Sequence, residues 1–401
     1  MGIPVKWPVV PLTELEQSAF CDSEPVSTMT LKEEQKAGVR WQSLPEHYLD
    51  LLPSQLSEKI RINRELLGDK VVILGHHYQR EDIIAFADFR GDSFKLAQFA
   101  TSQSNAEYTI FCGVYFMAET ASILGKNYQK VLLPNIQAGC SMADMAPSQD
   151  VEDCWEDLEQ ALGPRTITPV TYMNSTAAVK ALCGRNNGIV CTSSNAKAVL
   201  EWAYQQRQRV VFFPDQHLGR NTALGLGIPL SEMAIWNPFK PLGGNTISEL
   251  ERARIILWKG HCSVHTRFTV NQIQSARESC PDINIVVHPE CTMEVVNAAD
   301  YVGSTEKICR VIEEAPSGSV WGVGTEVNLV TRLAHENPSK KVICLDPIVC
   351  PCSTMYRVHP AYLLWVTDEL LQGRIHNEIK VGEEISYFAR IALERMLEVS
   401  R

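Results

Sequence analysis

Short apolar runs alternate with amphipathic segments along most of this chain. β-Branched residues dominate the runs Lys70–Gly75, Thr166–Thr171 and Asn284–Val287. Apolar runs of this length are typical of strands that are buried on both faces of a parallel sheet. Helical periodicity follows each of them, so the pattern predicts an α/β fold with parallel sheets.

Each of these three strands opens a unit of alternating strands and helices. The further strands predicted are Tyr108–Cys112, Lys130–Leu133, Gly188–Cys191, Arg209–Phe213, Arg254–Trp258, Val320–Val323 and Lys341–Leu345. The helices predicted are Asp82–Phe89, Phe94–Thr101, Ala118–Leu124, Thr176–Leu182, Asn195–Gln205, Met293–Ala299, Glu306–Glu314 and Glu384–Glu398. Three units of similar build predict three αβα sandwich domains with short parallel sheets, related by a pseudo-threefold axis around a central active site.

The first and third units match when the chain is shifted by 212 residues. Ala87-Asp88-Phe89 then falls on Ala299-Asp300-Tyr301, and Cys140 falls on Cys352. Such spacing, kept over more than sixty residues, indicates an internal repeat. The second unit follows the same plan with more divergence.

The units define the predicted domains. Residues 1–57 form an N-terminal extension with a helical patch at 46–56. Residues 58–140 plus 353–401 form the first domain, 141–262 the second and 263–352 the third. The stretch Gly219–Asn245 reads as an insertion, and the last fifty residues are expected to pack back on the first unit.

Composition and charge narrow the possible functions. The 401 residues carry a net charge of −10, which argues against a general nucleic-acid-binding surface. No apolar run reaches the roughly 18 residues of a membrane span, and Met1–Leu12 lacks a secretory pattern. We therefore expect a cytoplasmic protein, in which the thirteen cysteines are reduced and a few serve metal binding or catalysis.

A polar pair follows the opening strand of each unit. These pairs are His76 and Tyr78, Tyr172 and Asn174, and His288 and Glu290. Ligands of α/β units bind beyond the carboxyl ends of the strands, and residues i and i+2 of an extended chain point the same way. We therefore expect all three pairs to face one pocket.

A hydroxyl residue marks the start of a helix in each unit: Ser93, Ser193 and Thr305. Helix N-termini attract carboxylate and phosphate groups. Any one of these residues alone is more simply a helix cap. Their repetition favours a site for a substrate with several negative charges.

Each unit closes on a cysteine: Cys140, Cys262 or Cys352. A threefold arrangement would bring the three thiols together, and thiolates suit an iron–sulfur cluster or zinc. The repeat favours Cys140 over Cys112, which falls on Gly324. Cys350 remains a competitor for Cys352 as the third ligand.

Three further polar residues stand near these positions. His265, three residues after Cys262, could orient substrate or transfer protons, or have only a supporting role. Asp215 and Glu326 follow strand ends and could be pocket or inter-unit contacts; neither is predicted to be catalytic.

Taken together, these residues resemble the quinolinate synthase family, the iron–sulfur enzymes of de novo NAD biosynthesis. The motifs that carry the resemblance are His76-x-Tyr78, Gly91-Asp92-Ser93, Gly113–Thr120, Gln137-Ala-Gly-Cys140, Tyr172-x-Asn174, Thr192-Ser193-Ser194, Pro214–Arg220, Gly260-x-Cys262-x-Val-His265, Val287-His-Pro-Glu290, Val302–Thr305 and Cys352-x-x-Met355. The match covers about residues 58–400.

The resemblance implies a [4Fe–4S] cluster held by Cys140, Cys262 and Cys352, with one open iron that acts as a Lewis acid. It implies a transferase that condenses iminoaspartate with dihydroxyacetone phosphate to quinolinate, releasing phosphate and two waters. Substrate binding is expected at His76, Ser93, Tyr172, Asn174, Ser193, His288, Glu290 and Thr305. Proton transfer is expected from Tyr78, His265 and Glu290.

The expected partners are these two small molecules, with a possible functional coupling to an aspartate-oxidising enzyme and no nucleic acid or membrane. Two alternatives stay open at this point. One is another [4Fe–4S] hydro-lyase acting on a small carboxylic acid. The other is an iron–sulfur or zinc sensor, which would not need the polar residues at strand ends and helix starts.

Overall fold

The structure is a computed structural model that describes residues 29–37, 39–102, 106–348 and 350–400. The first half of the predicted N-terminal extension, including Met1–Leu12, lies outside the described residues. Among the helices in the described part of the chain, none has both the length and the apolar character needed to cross a membrane.

Thirteen strands in the described residues form three separate sheets. They are β1 (Val71–His76), β2 (Phe89–Gly91), β3 (Tyr108–Cys112), β4 (Lys130–Leu132), β5 (Ile167–Tyr172), β6 (Ile189–Cys191), β7 (Arg209–Phe213), β8 (Met233–Trp236), β9 (Ile255–Trp258), β10 (Asn284–Val287), β11 (Tyr301–Val302), β12 (Val320–Gly324) and β13 (Lys341–Cys344). Every pairing between these strands is parallel.

Helices cover the sheets. The α-helices of the described residues are Leu31–Glu34, Pro53–Leu67, Glu81–Ile84, Ser93–Ser102, Tyr115–Leu124, Ser141–Asp144, Ser148–Leu162, Ala177–Arg185, Ala196–Gln206, Gln216–Gly225, Ile247–Arg252, Val270–Ser279, Met293–Ala298, Thr305–Glu314, Val327–Glu336, Ser353–Tyr356, Pro360–Leu371 and Glu383–Val399. Short 3₁₀ turns lie at Gln35–Ala37, Glu46–Tyr48, Gly68–Lys70, Leu230–Glu232, Pro241–Gly244 and His265–Arg267.

The three sheets share one strand order. The first sheet runs β2-β1-β3-β4, the third runs β11-β10-β12-β13, and the second runs β6-β5-β7-β9 with β8 added at its edge. The strand that opens each unit is therefore central and buried. The prediction of an α/β fold with three similar units and short parallel sheets is confirmed.

The 212-residue repeat extends to the register of the strands. Leu74 pairs with Phe89 in the first sheet, and Val286 pairs with Tyr301 in the third. Asp88 and Asp300 hold these pairings in the same way, since each accepts a hydrogen bond from a strand amide, that of Ile73 at 2.7 Å or Ile285 at 2.8 Å. The repeated Ala-Asp motif is therefore structural.

One predicted helix is wrong in its extent. The helix expected at Asp82–Phe89 ends at Ile84, and Phe89–Gly91 forms strand β2. A strand of three residues is too short to show a period of two in the sequence. The stretch Gly219–Asn245, which was predicted to be an insertion, contains most of helix Gln216–Gly225 and strand β8, which pairs with β9.

The two ends of the described chain pack on different units. Helix Pro53–Leu67 spans the predicted boundary at residue 57 and packs against helix Pro360–Leu371. Helix Glu383–Val399 lies mainly on helix Ala177–Arg185 of the second unit and also touches helix Tyr115–Leu124 of the first. Gly184 allows this close approach, because a Cβ there would overlap the backbone carbonyl of Phe388. The division into domains remains a prediction.

Candidate active site between the three units

One cavity lies where the three units meet, and all thirteen residues predicted for the site line it. They are His76, Tyr78, Ser93, Cys140, Tyr172, Asn174, Ser193, Cys262, His265, His288, Glu290, Thr305 and Cys352. Each unit contributes a strand end, a helix start and a cysteine. The carboxyl ends of the parallel strands thus face a common centre, as the topology requires.

The strand ends of the first and third units turn in the same way. The amide of Tyr78 donates to Nδ1 of His76 at 3.1 Å, and the amide of Glu290 donates to Nδ1 of His288 at 3.4 Å. This assigns the proton of each neutral ring to Nε2. Burial lowers the pKa of His76 well below its ordinary value and that of His288 to about 3. Both imidazoles are therefore neutral N–H donors at neutral pH.

The second unit supplies a phenol and an amide instead. The Tyr172 hydroxyl donates to Oε1 of Glu290 at 2.5 Å. Burial and the neighbouring Glu290 raise the pKa of Tyr172 well above its ordinary value, so this hydroxyl keeps its proton. Oδ1 of Asn174 is buried and has no hydrogen-bond partner among the described residues. An unpaired buried oxygen in a cavity is a natural place for a ligand donor.

The helix-start hydroxyls are not the caps of their helices. Asp92 accepts the amide of Lys95 at 2.9 Å, and Ser304 accepts the amide of Lys307 at 3.4 Å. Ser93 and Thr305 are the first residues of these two helices, so their hydroxyls are not needed for capping. This weakens the simple capping interpretation.

The residues next to these hydroxyls join the three units. The Ser304 hydroxyl lies 2.9 Å from that of Ser194, which donates to Oδ2 of Asp92 at 2.6 Å. One residue from each unit takes part, so the contact fixes the helix starts relative to one another. The sequence motifs contained these three residues, but nothing in their spacing singled them out.

A hydrogen-bonded chain of proton-carrying groups runs along one wall. His265 Nδ1 lies 3.0 Å from Glu290 Oε2, and His265 Nε2 lies 3.3 Å from the Tyr78 hydroxyl. Thr325 Oγ1 lies 2.7 Å from the Tyr78 hydroxyl and 3.2 Å from His265 Nε2. The rings of His265 and His288 stack with centroids 4.2 Å apart. No role was predicted for Thr325 from the sequence. Its only indication there is its position directly after β12 and next to Glu326.

Glu290 is ionised at neutral pH despite its burial. Burial alone raises its pKa, but the neighbouring imidazoles of His265 and His288 and the hydrogen bonds from His265 and Tyr172 lower it to about 2. A carboxylate that accepts from His265 Nδ1–H leaves Nε2 of a neutral His265 as an acceptor that faces Tyr78. The arrangement suits proton transfer through His265.

The three cysteines begin the same local turn. In each unit the amide four residues later donates to the cysteine carbonyl: Asp144 to Cys140 at 3.0 Å, Thr266 to Cys262 at 3.1 Å and Tyr356 to Cys352 at 2.9 Å. Burial raises the pKa of all three thiols, that of Cys140 to about 12, and each is close enough to another to affect it electrostatically.

The three cysteine sulfurs in the cavity are too far apart to share one zinc ion. The three sulfurs are not within 4.8 Å of one another; in the described residues, the group that meets this limit is Cys262, His265 and Glu290. Three thiolates on one tetrahedral zinc would be roughly 4 Å apart, given Zn–S bonds of about 2.3 Å. Cys350 is disulfide-bonded, so the expectation that all thirteen cysteines are reduced is wrong, whereas Cys352 has a free thiol in the cavity wall.

Comparisons with known proteins identify the family of the chain. The profile of the quinolinate synthetase A protein family (NadA) matches residues 60–398. The chain belongs to this family.

Relatives align along nearly their whole length. The chain is 57% identical over 360 residues to a quinolinate synthase of Corynebacterium glutamicum, covering 90% of this chain and 91% of the relative. It is 50% identical to that of Acidobacterium capsulatum, covering 88% and 95%, and 52% identical to that of Streptomyces coelicolor, covering 85% and 88%. The matched region includes all thirteen residues of the cavity that the sequence predicted.

Proposed function

We propose that the chain is a quinolinate synthase that condenses iminoaspartate with dihydroxyacetone phosphate, forming quinolinate and releasing phosphate and two waters. The atoms of the two substrates equal those of the products, so the reaction needs no external oxidant. The observation that carries the proposal is the meeting of thirteen predicted residues from three units in one cavity. Membership of the family supports it.

The proposed cofactor is a [4Fe–4S] cluster bound by Cys140, Cys262 and Cys352. A cluster of this type normally takes four cysteines, and three leave one iron open to substrate. When bound, it would supply a Lewis acid for a substrate oxygen or nitrogen. The raised thiol pKa values are consistent with ligands that lose their protons when metal binds.

The substrates carry carboxylate and phosphate groups, and the proposed binding residues donate hydrogen bonds to them. His76 and His288 offer Nε2–H from two sides of the cavity. Ser93, Ser193 and Thr305 offer hydroxyls at or just before helix starts, where free amides and the helix dipole also favour anions. Asn174 and Tyr172 of the second unit line the same cavity.

Condensation and loss of two waters require protons to leave carbon and nitrogen and to reach departing oxygen. We assign these transfers to Tyr78, His265 and Glu290. Nε2 of His265 accepts a proton while Glu290 fixes its tautomer through Nδ1–H, in the way that a carboxylate orients a histidine base. The Tyr78 hydroxyl, 3.3 Å from Nε2, carries the proton between the ring and the substrate.

The test is anaerobic turnover. Protein purified and reconstituted without oxygen should form quinolinate from the two substrates, and Cys352→Ser should lose both the visible absorbance of the cluster and the activity. An unchanged cluster in Cys352→Ser would contradict the ligand assignment. Uptake of the cluster without any quinolinate formation would favour a hydro-lyase acting on another small acid.

A further inference from the structure

Glu326 has more hydrogen bonds than a helix cap requires. It is fully buried and is the N-cap of helix Val327–Glu336. Its Oε2 accepts the amides of Asn328 at 2.8 Å and Leu329 at 3.4 Å. These two bonds alone satisfy the cap.

The other oxygen of Glu326 contacts the Cys352 loop, which comprises residues 350–352 and precedes helix Ser353–Tyr356. Oε1 accepts the backbone amide of Cys352 at 3.1 Å and the side-chain amide of Asn328 at 2.9 Å. The same Asn328 group lies 3.5 Å from the carbonyl of Tyr78. One buried carboxylate thus connects the Cys352 loop to the helix of its own unit and to the strand end of the first unit.

The choice of glutamate supports a second task. Aspartate, asparagine and serine are the preferred N-caps because their short side chains reach the helix amides directly. Glutamate is longer by one methylene, and this length allows its second oxygen to reach Cys352. An aspartate at this position would keep the cap and lose that contact.

The other two units handle their cysteine loops differently. In the second unit Asp215 caps helix Gln216–Gly225 by accepting the amide of Leu218 at 2.6 Å, and its Oδ2 has no hydrogen-bond partner among the described residues. The 212-residue repeat places Val114 at the equivalent position of the first unit, where no side chain caps helix Tyr115–Leu124. The hydrogen bond from a cysteine amide to a helix-capping carboxylate is therefore a feature of the third unit.

We propose that Glu326 is a positioning residue that fixes the Cys352 loop in the geometry that retains the cluster. The inference rests on the proposed function, since it concerns the ligand set assigned there. Glu326 touches no substrate in this account. It acts through the backbone of Cys352.

The decisive variant is Glu326→Asp, which separates the two tasks of the side chain. We expect the metal-free variant to unfold within a few degrees of the wild type, because aspartate is a good cap. The reconstituted variant should lose its iron to a chelator faster than the wild type by roughly 10–100-fold, the usual effect of removing a residue that supports a metal ligand. Iron release and the loss of visible absorbance measure this without any activity assay.

Two matched variants make the interpretation specific. Glu326→Gln should also release iron faster, because both oxygens of Glu326 accept hydrogen bonds and an amide offers only one acceptor. Thr269→Ala removes the capping box that Thr269 forms with Gln272 at the start of helix Val270–Ser279. It should lower the unfolding temperature while leaving iron release at the wild-type rate.

A wild-type measurement covers the case in which the Glu326 variants do not fold. The amide of Cys352 should exchange its hydrogen slowly in the metal-free wild type, because a buried carboxylate accepts it. Exchange at the rate of an exposed amide would overturn the proposal, and so would a folded Glu326→Asp protein that retains iron as the wild type does. Failure of the wild type itself to bind a cluster would instead remove the proposed function.

Discussion

The strand ends of the first and third units share a histidine but differ at the two residues that follow it, His77 and Tyr78 against Pro289 and Glu290. Both hold a neutral imidazole, His76 or His288, through an amide that donates to Nδ1. The residue that supplies this amide is Tyr78 in the first unit and Glu290 in the third. In the proposed reaction, the repeated histidine is a binding group and the divergent residue is a proton-transfer group.

The two units are not interchangeable, because Tyr78 and Glu290 contact different sides of His265. The Tyr78 phenol contacts His265 on its Nε2 side, and the Glu290 carboxylate contacts the same ring on its Nδ1 side. The difference between Tyr78 and Glu290 therefore places a phenol and a carboxylate on opposite nitrogens of one histidine.

The largest effects should come from the positions that the two units still share. Cys140→Ser and Cys352→Ser should each abolish the cluster and the formation of quinolinate, because the two cysteines occupy equivalent turns. Iron content and visible absorbance measure this. Cys112→Ser, which changes a buried cysteine that does not line the cavity, should retain both. Different outcomes for Cys140 and Cys352 would break the equivalence.

The divergent position should control turnover. Glu290→Gln and Tyr78→Phe should each lower kcat by about 10²–10⁴-fold, the range for loss of a group that transfers protons. Both variants should keep full iron content, since neither residue is a proposed ligand. Steady-state quinolinate formation measures the loss. A kcat within twofold of the wild type for either variant would remove that residue from the proton path.

The shared imidazoles should control binding more than turnover. His76→Leu and His288→Leu should each raise KM by roughly 10–100-fold, because each removes a hydrogen bond to a charged group worth about 1.5–3 kcal/mol. Glutamine carries an N–H donor near the position of Nε2 and should restore part of the affinity. If the glutamine and leucine variants have the same KM, these rings do not donate hydrogen bonds to the substrate.

The smallest effect concerns stability in acid. The folded-state pKa values of His76 and His288 lie below their unfolded values because burial disfavours the charged ring. Below about pH 6.5 these histidines bind protons in the unfolded state but stay neutral in the folded state. The free energy of unfolding therefore falls with falling pH, by up to roughly 1.4 kcal/mol per pH unit for each histidine. Urea unfolding of the metal-free protein at pH 7 and 5 measures it. His288→Gln should show a smaller loss than the wild type, and an equal loss would contradict this assignment.

The fold could be predicted largely because parallel strands buried on both faces have a strong apolar pattern. The strands β7 and β10 have the bounds that the pattern predicts, Arg209–Phe213 and Asn284–Val287. Strands β2 and β11 could not be predicted from the apolar pattern, because a strand of two or three residues is too short to show one. Their positions depend on Asp88 and Asp300, whose bonds to neighbouring strands are a tertiary feature.

The site could be predicted because its residues recur at fixed distances from strand ends. Tyr172 and Asn174 were found in the divergent second unit through their place after β5. Thr325 and Glu326 show the limit of this reasoning. Their roles depend on contacts with Tyr78, His265 and Cys352, which are distant in sequence, and no spacing within one unit encodes them.

Mössbauer spectroscopy of protein reconstituted with ⁵⁷Fe tests the central claim most directly. With three cysteine ligands from three units, one iron of a four-iron cluster should differ from the others, and quinolinate should shift the signal of that iron alone. Four equivalent irons that do not respond to quinolinate would contradict the claim that the three thiols present an open iron to the cavity.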